Sequence, residues 1–390
     1  MDEGRESVGL AIPFTAGIAA VNYSLQAFYI SGKSLDTAAS AALAMTLVLA
    51  GILWTMLKGH HGHSPENGIS RAVEGRMGLW ILFLVTGAAV ALINAIPHVS
   101  GPGNPGPAEI CSEHLKSLIR SVPLSDTGNN ALMMAFLTGD QSDLDRTVKD
   151  AFRESGASHL LALSGMHLSI IYLVVSKILS VFGNTPAVRF GRSAAIITGS
   201  AFFTVMTGAV PSLVRAFFFI LLRECALLTG RSRDGINIFC TALIMQLAIT
   251  PSTVTSAGFQ LSYLAMLGIF LLYRPIDRLW DRYGAGGDQT DGSGILCIIT
   301  KTMRYIWSMC ALSIACQTFT APAVLLYFGT FPQYFLITNL LCIPLSNLIM
   351  VLSIVILPLH AAGICPGFLT DADNLLLSAL TDILGIIQAM

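Results

Sequence analysis

The chain has 390 residues, 54% of them apolar and only 12% charged, about half the charged fraction of a soluble domain. Mean hydropathy is +0.69, and uncharged stretches of about 20 residues, each long enough to cross a hydrocarbon core about 30 Å thick, recur along the whole length. This excludes an ordinary water-soluble globular chain. With 22 Lys+Arg against 23 Asp+Glu, bulk charge points to no nucleic acid or other partner. The predicted fold class is all-α, a polytopic membrane protein of about 10–11 transmembrane helices.

Residues 1–9 carry Asp2, Glu3 and Glu6 against one Arg5. They lack the basic start and small-residue cleavage site of a secretory signal, so the first apolar run is expected to stay in the protein. Spans are predicted at 8–30, 37–57 and 77–97, making residues 1–97 an N-terminal transmembrane region. Residues 98–158 open with a Pro/Gly linker, Ser100–Pro107, and continue as a mixed-charge helical stretch from Glu109 to Glu154. This segment is expected outside the membrane, on the extracytoplasmic side. Residues 159–390 form the expected transmembrane core, with spans at 159–182, 193–210, 211–229, 236–250, 252–273, 303–328, 334–357 and 374–390.

Two stretches are too long for one crossing. Residues 193–229 would make about 55 Å of continuous helix, and Thr207-Gly208 with Pro211 offers a break. Residues 236–273 break in the same way at Thr250-Pro251. Broken helices are therefore expected near 207–211 and 250–251, each a hairpin of two spans or a pair of half-helices dipping into a cavity. A cytoplasmic N-terminus puts Arg5, Lys58, Arg71, Arg76, Arg189, Arg192, Arg231 and Arg233 in inner loops. Arg274, Arg278, Arg282, Lys301 and Arg304 follow them, while the short outer loops hold only Lys33. That bias indicates a multi-pass protein of the cytoplasmic membrane with its N-terminus inside.

Polar and ionisable groups inside spans are costly and mark function by default. Four groups stand out. His159 and His167, in Ser158-His-Leu-Leu-Ala-Leu-Ser-Gly-Met-His167, are about 80° apart on a helix, with Ser164 and Gly165 allowing close backbone approach. They form either a cavity-lining strip that meets protons or phosphates, or two interhelical hydrogen bonds. Arg215 follows Pro211-Ser212 in the most apolar surroundings of the chain, which requires a carboxylate, carbonyl or anionic ligand as partner; a guanidinium suits phosphate. Arg223, two turns on, can instead snorkel and pair with Glu224. Ser256, Gln260 and Tyr263 share a helix face, as helix–helix glue or as uncharged hydrogen-bonding groups. Asn339 and Asn347 flank Pro344, which frees the Leu340 carbonyl and makes either a carbonyl-lined constriction or a kink.

Other features argue against chemistry. The eight cysteines form no C-x-x-C pair and read as small hydrophobes, with no disulfide framework or zinc site. His60-His61-Gly62-His63 looks like a metal cluster but lies in a polar loop, and Pro65 stands where an H-x-H-x-D-H motif needs its Asp. No H-E-x-x-H, G-x-S-x-G or G-x-x-x-x-G-K-[ST] motif occurs. No catalytic residue, metal or cofactor is called for, and a non-enzyme is expected.

His159-Leu-Leu-Ala-Leu-Ser164-Gly165-Met-His167 resembles the H-L-L-A-I-S-G-x-H signature of the ComEC competence proteins, with Leu163 in place of Ile. Gly139-Asp140, Phe152, Arg215-Ala216, Gly230-Arg231, Pro251, Gly258-Phe-Gln-Leu-Ser262, Asn339 and Pro344 follow the family's order and spacing. The resemblance covers roughly residues 125–385. It implies a channel that carries single-stranded DNA across the cytoplasmic membrane in natural transformation, with His159, Ser164, Gly165, His167, Arg215, Gln260, Tyr263 and Asn339 as candidates along the DNA path. Implied partners are single-stranded DNA, membrane lipid, and competence proteins that deliver the DNA or accept the strand in the cytoplasm. Full-length members usually add an outer OB-type domain and a metallo-β-lactamase-like domain. Residues 98–125 are too short for the first and no hydrolase motif marks the second, so other chains, such as a separate nuclease or ATPase, are expected to supply those steps. Two other classes remain. A small-solute or lipid transporter would use the broken helices around a closed pocket. An intramembrane hydrolase would need Ser164 activated by a histidine from another helix.

Overall fold

The computed structural model describes residues 6–30, 80, 83–88, 90, 91, 107–183, 185–230, 234–283, 295–329 and 331–389. Among these residues no strand occurs and the regular elements are helices, as the composition requires. The expected span at 37–57, the His60–His63 loop, the linker at 100–106 and parts of the span at 77–97 lie outside the described residues. Among the described residues three helices are long and apolar enough to cross a membrane: Ala257–Arg282, Ile298–Phe328 and Phe335–Ala361.

The chain forms two compact units, one of residues 1–103 and 218–260, the other of 104–217 and 261–390. In the first, α1 (Glu6–Ile30) buries Ala11, Phe14, Ile18 and Val21, a 3–4 spacing that makes one apolar stripe. It packs against the helix Gly235–Ile249 and the 3-10 turn Pro251–Thr255. There the Asn22 Nδ2 donates to the Pro251 carbonyl over 3.3 Å, capping a backbone group that the proline turn leaves open.

The second unit holds the main core. Here α2 (Pro107–Ser121), α3 (Thr127–Thr138) and α4 (Arg146–Glu154) precede the short α5 (Ser158–Leu161) and α6 (Gly165–Ser180). Helix α7 (Pro186–Met206) follows, then α8 (Pro211–Thr229), whose first residues belong to this unit. Helix α9 is the Gly235–Ile249 helix of the first unit; α10 (Ala257–Gly268) widens into a π turn at Ile269–Tyr273 and continues as α11 (Arg274–Asp277) and α12 (Leu279–Tyr283). Pro275 brings no N–H to the Leu271 carbonyl inside that π turn. The last three helices are α13 (Ile295–Phe328), α14 (Phe335–Ala361) and α15 (Gly367–Gln388).

Both expected breaks are present. Between α7 and α8, Gly208 (φ 83°) and Ala209 (φ 49°) take left-handed conformations, which glycine adopts at little cost. Between α9 and α10, Thr250 leaves the helix at φ −133°, ψ 77° and Pro251 opens the 3-10 turn. Pro344 does not break its helix, since α14 runs on through it.

Helix α3 is apolar on all sides. Leu132, Met133, Met134, Ala135 and Phe136 are fully buried and share one core with Phe152, Leu160, Cys342, Ile349, Ile356, Leu377, Leu380 and Leu384. An all-round apolar helix of this kind is an interior element. Asp126 caps its start by accepting from the Gly128 N–H at 2.9 Å, and Gly139 ends it at φ 76°. The segment expected to be a mixed-charge stretch therefore supplies one of the most buried helices of the unit.

Candidate functional site

The His159–His167 segment is not one helix. Four residues of α5 end at Leu161; Ala162 turns to φ −77°, ψ 131° and Ser164 is extended at φ −121°, ψ 168° before α6 begins at Gly165. The cap explains the restart. Ser164 Oγ accepts from the Met166 N–H at 3.2 Å, and the Ser164 N–H donates to His167 Nδ1 at 3.1 Å. This reciprocal pair is a capping box with histidine in place of the usual Glu or Gln. Because an N–H can only donate, Nδ1 holds the lone pair and the neutral ring carries its proton on Nε2. Ser164 Oγ lies 2.9 Å from the same Nδ1. His167 is buried, with the Phe136 ring centroid 6.4 Å from its own.

The two histidines therefore do not form a common strip on one helix. His159 is exposed on α5, and its Nδ1 donates to the Gly156 carbonyl at 3.2 Å. The expected face depended on unbroken helical spacing, and the extended residues 162–164 remove it.

The start of α8 lies against the start of α6. Ser212 Oγ donates to the Leu163 carbonyl at 2.6 Å, a carbonyl that the break leaves outside any helix. A side chain at Gly165 would put its Cβ 3.2 Å from Arg215 Nη2 and 3.4 Å from the Ala216 Cβ. With glycine there the guanidinium fits against the α6 N-terminus, whereas a Cβ would make it give way by a few tenths of an ångström. Arg215 is buried at 9% exposure. Its Nη1 donates to the Ser262 carbonyl, and its Cζ sits 5.6 Å from the centre of the Tyr263 ring. Among the described residues no carboxylate pairs with it. Of the partners the sequence allowed, the carbonyl is present, backed by an aromatic face that also favours a cation.

Five candidates thus gather around the start of α6: Ser164, Gly165, His167, Arg215 and Tyr263. Of the other three, His159 and Asn339 lie elsewhere in the same unit and Gln260 in the first. In the first unit Gln260 donates to Tyr23 Oη at 2.7 Å and to the Val254 carbonyl at 2.9 Å, a bond that ties α10 to the preceding 3-10 turn. Ser256 caps α10, accepting from the Phe259 N–H at 3.3 Å. Asn339, in α14, donates to Ser313 Oγ of α13 at 3.4 Å, and its Oδ1 is buried without a hydrogen bond among the described residues. Asn347 Oδ1 is in the same condition.

The cluster also contains groups that sequence reasoning did not single out. Phe136 closes over His167, and Ser212 ties α8 to the break. Ser212 was visible in the sequence as an N-terminal Ser just after Pro211, whereas Phe136 had no signal beyond its apolarity. Elsewhere in the core, Ser353 Oγ donates to the buried Asp373 at 3.2 Å, and Asn129 Nδ2 donates to Asn374 Oδ1 at 2.7 Å and Ser378 Oγ at 3.0 Å. No group of three or more His, Cys, Asp or Glu able to hold a metal occurs among the described residues.

The family described as Competence protein matches residues 136–390, a stretch that contains all five clustered residues. The chain belongs to the Competence protein family. ComE operon protein 3 of Bacillus subtilis (strain 168) is 29% identical over 161 residues, 41% of this chain and 20% of that protein. Uncharacterized protein YcaI of Escherichia coli (strain K12) is 22% identical over 243 residues, 60% of this chain and 30% of that protein. An uncharacterized protein of Aquifex aeolicus (strain VF5) is 24% identical over 156 residues, covering 40% of this chain and 36% of its own length. The chain thus matches between a fifth and little more than a third of the length of these relatives. No solved structure matches it. Membership of this family, together with three helices able to cross a bilayer, makes the chain a membrane protein.

Proposed function

We propose that this chain is a non-enzymatic channel element that passes single-stranded DNA across the cytoplasmic membrane in DNA uptake for natural transformation. The reading rests on its family and on one observation above all, the buried Arg215 beside the α6 N-terminus with no carboxylate partner among the described residues. A helix N-terminus carries partial positive charge, and here the capping box already takes up the Ser164 and Met166 N–H groups. Placed next to a guanidinium, it favours a passing phosphate. The Ser262 carbonyl and the Tyr263 ring hold Arg215 in place but leave Nη2 towards Gly165, where an anion can meet it. One such contact is weak enough to release each phosphate in turn, as conduction requires. Energy for directed movement would come from outside this chain, from a partner ATPase or the membrane potential. DNA-delivery proteins, a cytoplasmic strand acceptor and a separate nuclease complete the proposed set of partners. The N-terminus is proposed to face the cytoplasm, on the Lys/Arg bias of the loops.

The two broken helices near 207–211 and 250–251 favour a second reading, a transporter of small solutes or lipid. The Ser164–His167 contact supports hydrolysis poorly. Both residues sit in one capping box, the histidine lone pair is already taken by a backbone N–H, and among the described residues no second helix brings a base.

The test follows labelled DNA in cells lacking only this chain. Loss of the nuclease-protected cytosolic strand, with intact DNA accumulating outside, supports the channel. Normal protection in those cells contradicts it and favours the transporter.

A further inference from the structure

The spans Ala257–Arg282 and Ile298–Phe328 pack antiparallel in one register. Cys316 Sγ reaches the Ala265 carbonyl at 3.9 Å, and Gly268 lies so close to the Ala315 carbonyl that a Cβ would collide with it. Further along, Tyr273 Oη and Ser308 Oγ are 2.8 Å apart, and Arg304 Nη2 donates to the Asp277 carboxylate at 2.7 Å. On one side of the Tyr273–Ser308 contact neither helix carries a charge, from Tyr273 back to Ala257 and from Ser308 on to Phe328. Ala257–Tyr273 alone makes about 25 Å of helix, close to the hydrocarbon thickness of about 30 Å.

Charge begins at once on the other side. Arg274, Asp277, Arg278, Asp281 and Arg282 follow on one helix, and Lys301 and Arg304 precede Ser308 on the other. Ionised groups avoid hydrocarbon, so the bilayer boundary falls at the Tyr273–Ser308 contact. Trp280 and Trp307 meet just beyond it with ring centroids 6.3 Å apart, and Trp307 Nε1 donates to the Asp277 carbonyl at 3.3 Å. Tryptophan concentrates at that depth, with its ring among headgroups.

Asp277 is taken up by Arg304, whose Nη1 also donates to its carbonyl at 3.1 Å. The other arginines form a row. The Arg278 N–H donates to the Arg274 carbonyl at 3.1 Å and the Arg282 N–H to the Arg278 carbonyl at 3.3 Å, so the three stand on successive turns of one helix face. All three are exposed, and among the described residues no carboxylate pairs with them. Arg278 and Arg282 line an open groove of about 560 Å³ with Pro275, Leu279 and Asp281. Each turn moves the row about 6 Å into a headgroup layer about 5–7 Å thick.

We infer that Arg274, Arg278 and Arg282 bind the phosphate of an anionic phospholipid at the edge of the bilayer. A guanidinium pairs with phosphate through two parallel hydrogen bonds, and basic pockets at span ends take acidic headgroups. The row starts at the hydrocarbon boundary, where lipid phosphates are the nearest anions; a nucleic acid would first have to displace them. The inference concerns the membrane and holds whatever the chain transports, so an unchanged DNA uptake leaves it standing.

The test reconstitutes the full chain in phosphatidylcholine vesicles, with Trp280 and Trp307 as fluorescence donors to dansyl-labelled phosphatidylglycerol or dansyl-labelled phosphatidylcholine. Transfer to the anionic probe should saturate at much lower probe content. Replacing all three residues, Arg274→Gln, Arg278→Gln and Arg282→Gln, should reduce that preference about a hundredfold, and Arg278→Gln alone about fivefold. Arg189→Gln, an exposed arginine on α7, should leave it unchanged. Equal transfer to the two probes in the wild-type chain would overturn the inference, as would an undiminished preference in the triple variant. A loss at Arg189→Gln as large as at Arg278→Gln would make the attraction a property of the whole surface and overturn the site. A triple variant that keeps its lipid preference but no longer binds a single-stranded oligonucleotide would assign the row to nucleic acid instead.

Discussion

The second unit treats its cations in two opposite ways. On α2, Lys116 and Arg120 each meet a carboxylate at 2.9–3.0 Å while keeping contact with solvent. On α8, Arg215 is buried and has a backbone carbonyl and a tyrosine ring, with no carboxylate among the described residues. A cation already paired near water contributes little, about 0–1 kcal/mol, and has little left to offer a ligand. A buried cation held by neutral groups keeps most of its charge for an anion. On the proposed function, the difference separates a scaffold of charge pairs on α2 from a position on α8 suited to an anion.

Substitutions can break or sharpen that contrast. The largest effect is expected at Arg215. Arg215→Ala should abolish DNA uptake while the chain still reaches the membrane at normal levels, measured by protected strand and by immunoblot of membranes. Arg215→Lys keeps the charge but loses the planar fork that fits both carbonyl and phosphate, so uptake should be reduced, with a value between wild type and the alanine variant. Gly165→Val should come next. Its Cβ would press on Arg215 Nη2 and Ala216, lowering uptake with a smaller loss of thermal stability in detergent. Ser164→Ala removes the acceptor that caps Met166 and should cost about 1 kcal/mol, read as a lower melting temperature, with uptake affected only in proportion. Lys116→Gln should be the mildest, within about 1 kcal/mol of wild type in stability and close to normal in uptake. If Lys116→Gln proved as damaging to uptake as Arg215→Ala, the contrast would fail.

What was legible in the sequence followed backbone chemistry. The breaks at Gly208–Pro211 and Thr250-Pro251 were readable because proline lacks an N–H and glycine accepts left-handed angles. Pro344 shows the limit, since its helix continues; in a packed helix of a membrane protein neighbouring groups absorb the lost bond. The motif from His159 to His167 was recognisable as a unit, but helical spacing hid its break. A Ser followed three residues later by a hydrogen-bonding side chain was the available clue to a helix start at Gly165, and histidine in that third place is unusual enough to be missed. Helix α3 was not legible as core. Its apolar run is too short to register as a span and sits between charged stretches. The meeting of Gly165, Arg215 and Tyr263 joins positions far apart in sequence, and no local pattern encodes it.

The central claim is that Arg215 beside the α6 N-terminus meets the phosphates of a moving strand. The most direct measurement is the amount of nuclease-protected, single-stranded labelled DNA in the cytosol of cells whose only copy of the chain carries Arg215→Ala, compared with wild type at equal membrane levels. The account expects the protected strand to disappear while DNA remains bound outside the cell. Protected strand at the wild-type level, from a variant present in the membrane in wild-type amount, would contradict it.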